Sequence, residues 1–256
     1  MPLVITPLTE IPLVNPGDNL FSIIDNALKR SEIELENGDI LVITQKIISK
    51  AQGRYVDLST IQPTMQAHEI AQRTHKDPRF VEVVLSESSE VLRAEPGRFI
   101  VVHKFGFVCA NAGVDHSNVH PIGVTNPDDW VLLLPEEPDI TANTLRKAFQ
   151  NAHQKPIGVL IIDSHGRAWR KGTVGVTIGV AGIPALEDLR GKPDLFGYKL
   201  QVSEVAAADE LAAAASLVMG QATESIPVVH VRGFPYPLRE SSSKELIRPK
   251  EEDLFR

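Results

Sequence analysis

The chain has 256 residues, 43% of them hydrophobic, and carries 33 acidic against 26 basic side chains, a formal net charge of −7 with an isoelectric point near 5.6. That composition is sufficient for a sizeable core, and its acidic balance excludes a nucleic-acid backbone or an anionic membrane surface as the main partner. A single cysteine excludes an internal disulfide framework and any multi-cysteine zinc site, and it fits a reducing cytosol.

The amino terminus, MPLVITPLTE, has no basic stretch followed by an apolar block, so no signal peptide is expected. No apolar run approaches the roughly 18 residues of a membrane span. The first helix is predicted from about Asp18, with Leu20, Ile23, Ile24, Ala27 and Leu28 at helical spacing and Asp25, Lys29 and Arg30 on the polar face. Asn37-Gly38 marks a turn into a buried strand at residues 40–43. Residues 64–75 and 78–92 read as two helices broken at Asp77-Pro78, because the residue before proline avoids the α region.

Further strands are predicted at residues 99–102, 131–134, 157–162, 174–180 and 228–231, with a helix at 141–153 and an Ala-rich one at 204–219. Gly220 stands where a carboxyl-terminal glycine cap is expected. Ser242 with Glu245 resembles a capping box opening a short polar helix. Strands and helices alternate irregularly, which favours a mixed α+β fold with flanking helices over a doubly wound βαβ sheet. No linker or repeat divides the chain, so residues 1–256 read as one domain.

No phosphate loop, dinucleotide fingerprint, HExxH or GxSxG motif is present. His116 and His120 are four apart, but Pro121 follows and the segment reads as a loop rather than a helical ligand pair. Cys109 sits in apolar FVCA, the setting of a buried, inert thiol. Asp163 closes the apolar run before SHGRAWRKG. Its carboxylate, the Ser164 hydroxyl and the charges of Arg167, Arg170 and Lys171 suit a hard cation and phosphate oxygens, with Gly166 letting the chain turn. The same residues also suit a turn-capping acid beside a solvated basic face. Asp115, with Asn111, Ser117 and Asn118, offers oxygen ligands, or an Asx turn. Lys50 and the segment MGQATESIP could serve phosphates, as a point charge and as backbone N–H donors. An exposed lysine and a helix-to-strand connection account for them equally.

Taken together, EIPLVNPGDNL, GDILVITQKIISKAQGR, KFGFVCANAGVDHSNV, IIDSHGRAWRKGTVGVTIGVAGI, VAAADELAAAASLVMG and IPVVHVRG resemble the coenzyme F-420:L-glutamate ligase family, in order and spacing over almost the whole chain. The resemblance implies a cytoplasmic, GTP-dependent ligase with two divalent cations, Mg²⁺ or Mn²⁺, and leaves a requirement for K⁺ open. It also implies a gamma-glutamyl ligase-type fold in an intertwined homodimer, with the F-420 precursor, L-glutamate and GTP as small-molecule partners. By the same resemblance, Asp115 and Asp163 hold one metal, and Ser164, where the family usually has threonine, holds the second with Gln221. Ile11, Pro12, Leu13, Val14, Lys50, Asn118 and the run Met219, Gly220, Gln221, Ala222, Thr223, Glu224, Ser225, Ile226 match nucleotide-contacting segments. Gln45 and Lys46 fall on a nucleotide-contacting pair expected to bear hydroxyls in relatives, a departure in this chain. Arg167, Arg170 and Lys171 are assigned to substrate by charge alone, and His165 matches no role.

Overall fold

A computed structural model describes residues 2–254 apart from 120, 122 and 125, so His120 lies outside the described residues. The chain begins with β1 (Val4–Pro7), α1 (Leu20–Arg30), β2 (Ile40–Thr44), α2 (Gln45–Ala51) and β3 (Tyr55–Asp57). It continues through α3 (Met65–Thr74), α4 (Pro78–Ser86), β4 (Ser88–Glu95), β5 (Arg98–His103), β6 (Val108–Ala110) and β7 (Trp130–Leu132). Last come α5 (Pro138–His153), β8 (Gly158–Arg167), β9 (Arg170–Ala181), β10 (Glu187–Asp188), β11 (Glu204–Val205), α6 (Ala207–Met219) and β12 (Val228–Arg232). The expected mixed α+β architecture is present, in several sheets. Among the described residues no helix is long and apolar enough to cross a membrane.

The central sheet runs β1-β12-β2-β8-β9, with β2 and β8 parallel and the other pairs antiparallel. Leu41, Ile43, Val159 and Ile161 share one face with α1 and α5, while Ile40, Val42, Leu160 and Ile162 share the other with α6. Burial on both faces is why β2 and the first half of β8 read as unbroken apolar runs rather than alternating ones. The glycines of β9 have a packing reason. A Cβ on Gly175 would collide with the Ala212 carbonyl, and one on Gly179 would lie 2.6 Å from the Pro138 carbonyl carbon. Helices therefore close on β9 from both sides, α6 through its small alanine face. A second core packs α3 and α4 against the β4-β5-β6 sheet and Val131 and Leu133.

Local signals set most helix ends. Asn19 caps α1 by accepting from the Ser22 N–H at 3.1 Å, and Asp77 caps α4 with Pro78 at its first position. Gly220 ends α6 at φ +73. Several expectations need correction. Asp25 is buried, not on a solvated face, because His153 at the end of α5 meets it at 2.7 Å and Lys29 at 2.7 Å. The helix from Pro78 stops at Ser86, because residues 88–95 pair with β5. Glu204 and Val205 are strand rather than helix, pairing with β10. The segment after Ser242 is one 3₁₀ turn, in which the Ser242 hydroxyl accepts from the Lys244 N–H and Glu245 also pairs with Arg239 at 2.7 Å.

The correction that matters most concerns β8. It does not end at Asp163 but continues to Arg167, paired with β9 through Gly166–Thr173 and, past a register irregularity, Arg167–Arg170. Gly166 lies inside the strand, and the reversal falls at Ala168-Trp169. An antiparallel partner supplies the hydrogen bonds that let a polar sequence remain extended.

Candidate active site

Sheet topology gathers distant segments at the carboxyl end of β2. Thr44 pairs with Ile162, so Asp163 is the next residue beyond that level on β8. The Thr44 N–H donates to the Pro227 carbonyl at 2.9 Å, bringing in the loop before β12. The Leu8 N–H donates to the Val228 carbonyl at 3.0 Å, so β1 ends at the same level. Helix α2 starts there as well, directly after β2. Strand ends of this kind, with loops fanning from them, are where α/β sheets hold ligands.

Lys46 ties the loops together. Its Nζ lies 2.7 Å from Asp115 Oδ2 and donates to the Ser117 carbonyl at 2.8 Å. The other Asp115 oxygen accepts from the Ser117 N–H at 2.8 Å and the Ser117 hydroxyl at 2.9 Å, the Asx turn that the sequence allowed. The Asn118 amide then donates to the Ala222 carbonyl at 3.3 Å, closing the Asp115 loop onto the 219–226 segment. Half-buried Lys50 has its pKa lowered, first by desolvation and then by the Lys46 charge, with Asp115 opposing.

The remaining residues divide sharply. Gln45 is buried and accepts from the Ser49 hydroxyl at 2.8 Å, so it faces its own helix. Ile11 and Val14 pack into the core, Pro12 and Leu13 are exposed, Met219 is buried, and Gln221 to Ser225 are exposed. Asp163 and Ser164 project to opposite faces of β8 because strand side chains alternate. Ser164 is paired with Gly175, whose neighbours are Ala212 and Ser216, so the hydroxyl shares the α6 face that leads to Gln221. Arg167, Arg170 and Lys171 sit on the exposed hairpin end, where the Arg167 guanidinium donates to the Lys171 carbonyl at 2.7 Å. Arg167 stands roughly 13 Å beyond Asp163 along an extended strand. The basic cluster therefore forms an arm rather than a neighbour of the acid.

Two features escaped the sequence reading. His165 Nε2 lies 3.0 Å from Asp163 Oδ2, a contact visible only once β8 is known to run on and place residues two apart on one face. The Glu224 carboxylate folds back onto its own loop, accepting from the Ala222 N–H at 2.8 Å, and these backbone donors lower its pKa. Cys109 is buried as expected, and burial with the nearby Asp163 charge pushes its thiol up to about 12.

Among the described residues no three His, Cys, Asp or Glu side chains form a group able to hold a metal ion. Asp115 and Asp163 are hard oxygen donors, and Lys46 already supplies positive charge to one of them at 2.7 Å. This donor set fits a cation of the Mg²⁺ type, which takes one or two carboxylates and completes its shell with waters and phosphate oxygens.

The fold and the site define an α+β protein that presents two acids, two lysines and several loops at one end of a mixed sheet. The chain belongs to the F420-0:gamma-glutamyl ligase family, whose model matches residues 9–233. It is 45% identical over 248 residues to the coenzyme F420:L-glutamate ligase of Methanothermobacter thermautotrophicus, covering 96% of each chain. Similar proteins of the same name are 44% identical in Methanocaldococcus jannaschii, with 96% of this chain and 94% of the relative covered, and 41% identical in Archaeoglobus fulgidus, with 98% and 95% covered.

Proposed function

We propose that this chain is a cytoplasmic, GTP-dependent ligase that adds L-glutamate to the side chain of coenzyme F-420 through an acyl phosphate, giving γ-linked glutamates. Family membership supports the reaction class. The observation that carries the rest is the convergence of residues 45–50, 115–118 and 219–226 with Asp163 at one end of β2. These segments, far apart in the chain, are among those that the resemblance assigns to nucleotide and metal, and their proximity supports the reading.

A carboxylate resists attack by an amine because it is anionic and lacks a good leaving group. Transfer of the GTP γ-phosphoryl to the acceptor carboxylate breaks the bond to the bridging oxygen, releases GDP and leaves an acyl phosphate. The amino group of L-glutamate then attacks the acyl carbon, phosphate departs, and the amine gives up a proton as the amide forms. Repetition on the new γ-carboxylate extends the chain. Lys46 and Lys50 place fixed positive charge against the phosphates, and the exposed loop at residues 221–225 offers backbone N–H groups to them. Asp115 and Asp163 would hold one divalent cation and Ser164 with Gln221 a second, either Mg²⁺ or Mn²⁺. Such cations, when bound, neutralise phosphate charge and hold the reacting oxygens in line. Arg167, Arg170 and Lys171, carried on the hairpin arm, are assigned to the anionic end of the F-420 precursor.

The active form is proposed to be a homodimer. Leu195 and Phe196, in the segment between β10 and β11, are 98% and 96% exposed, and Val202 in the same segment is exposed too. Apolar exposure on that scale is what a subunit contact covers.

The test is a product assay by mass spectrometry with glutamate-free F-420, L-glutamate, Mg²⁺ or Mn²⁺, and GTP or ATP in parallel. A mass gain of one or more glutamyl residues with GDP and phosphate released is expected. Unchanged acceptor mass in the presence of metal-dependent nucleotide binding would sink the assigned acceptor. Equal turnover with ATP would sink the GTP preference.

A further inference from the structure

We infer that His165 is a positioning residue that fixes the carboxylate of Asp163 for a divalent cation. The inference rests on the reading of Asp163 as a metal-binding acid. The two residues stand two apart on β8 and share a face. Their side chains are only 11% and 15% exposed, and Nε2 lies 3.0 Å from Oδ2. That nitrogen is buried and has no aligned hydrogen-bond partner among the described residues. A small rotation of the carboxylate therefore satisfies the ring and fixes the acid in one act. With Oδ2 turned to the ring, Oδ1 is the oxygen left for a cation.

The ring itself is held from behind. Phe107 packs on His165 with centroids 5.3 Å apart, and it stacks on His103 at 5.0 Å with only 5° between the planes. His103 is fully buried and lies 3.7 Å from Glu87, whose carboxylate is anchored by Lys104 at 2.7 Å and Arg54 at 3.3 Å. An aromatic stack rooted in an ion cluster of the α4–β4 region thus supports the ring that faces Asp163. Outer partners that orient a ligating carboxylate act through the metal's affinity rather than through contact with substrate. His165 has no other assigned task, and its place between Phe107 and Asp163 suits this one.

The test is a Mn²⁺ titration followed by electron paramagnetic resonance on the full chain, with thermal unfolding in parallel. His165→Phe and His165→Leu remove the donor, whereas His165→Gln keeps an N–H at similar reach. Both donor-free variants are expected to bind Mn²⁺ about 10- to 100-fold more weakly, the range for loss of an outer partner, with Gln within about threefold of wild type. Asp163→Asn separates the two ideas. If it loses Mn²⁺ while the donor-free His165 variants bind as tightly as wild type, the positioning role is overturned and the metal reading stands. If it binds Mn²⁺ unchanged, the metal reading fails and the role of His165 fails with it. Equal weakening in all three His165 variants, tracking a lower melting temperature, would make the ring a packing element and overturn the inference. A single donor-free variant that folds suffices for the comparison.

Discussion

The two ends of β2 treat carboxylates in opposite ways. At the amino end Asp39 is 1% exposed and saturated: it accepts from His230 Nε2 at 2.8 Å, from Arg232 Nε and Nη2 at 2.9 and 2.7 Å, and from the Glu36 N–H at 2.8 Å. Burial alone would raise its pKa, but Arg232, His230 and the backbone donor outweigh burial and hold it far below the usual carboxylate range. At the carboxyl end Asp163 has, among the described residues, one unaligned ring contact, and Asp115 is held by a mostly buried lysine and its own turn. The same strand therefore ends in a structural lock on one side and, on the other, beside an acid, Asp163, with capacity to spare. The contrast suits the proposed site, because an acid that is to accept and release charged ligands cannot be saturated by its own protein.

The strongest break of this contrast is Asp163→Asn. The substitution keeps shape and removes charge, so turnover is expected to fall about a thousandfold, the scale of losing a preorganised electrostatic group, with little change in melting temperature. A variant that unfolds early instead would place Asp163 with the lock. Asp39→Ala is the mirror experiment. It strands Arg232 and His230 and should cost about 3 kcal/mol of stability, while turnover per folded molecule stays near wild type. Chemical denaturation beside a product assay reads both quantities.

How legible these ends were in the sequence follows from the range of the interactions. Asp77-Pro78 and Gly220 act within a few residues, so the breaks they set could be read directly. The two-faced burial of β2 and β8 shows in their unbroken apolar runs. Asp25 was misplaced because its partner His153 comes from another helix, and periodicity alone cannot find such a pair. The continuation of β8 past Asp163 was hidden for the same reason: residues 163–167 look like a polar loop until β9 is laid beside them. The segments proposed for the site are those the family resemblance singles out. Their geometry was not, because the bonds of Lys46 to Asp115 and of Asn118 to Ala222 join loops with no local signature.

A smaller effect extends the comparison to a second saturated acid. Desolvation would raise the pKa of Glu87, but His103, Lys104 and Arg54 hold it down at about 2 against 4.5 for a free glutamate. Its stabilising contribution is complete above about 4.5 and is lost as pH falls towards about 2, because the unfolded chain takes up its proton first. Asp39 behaves alike, with its loss beginning near 3.8. Glu87→Gln should therefore be less stable than wild type at pH 7 and lose less on acidification, the two stability curves converging near pH 2. Curves that run parallel down to that pH would show that the ion cluster carries no net stability.

The smallest expected effect lies at Cys109, beside the unsaturated end. Its thiol is buried, and with its pKa up at about 12 it is almost entirely protonated at neutral pH. Iodoacetamide at pH 7.5 should leave the native protein unlabelled and label it fully in denaturant. Burial is the larger cause of the shift and the Asp163 charge the smaller one. Asp163→Asn should therefore leave native labelling negligible if the variant keeps its packing. Rapid labelling of folded Asp163→Asn would mean that the carboxylate, not the core, keeps the thiol inert. Asp163 would then hold its surroundings together as Asp39 does, and the contrast between the two ends of β2 would fail.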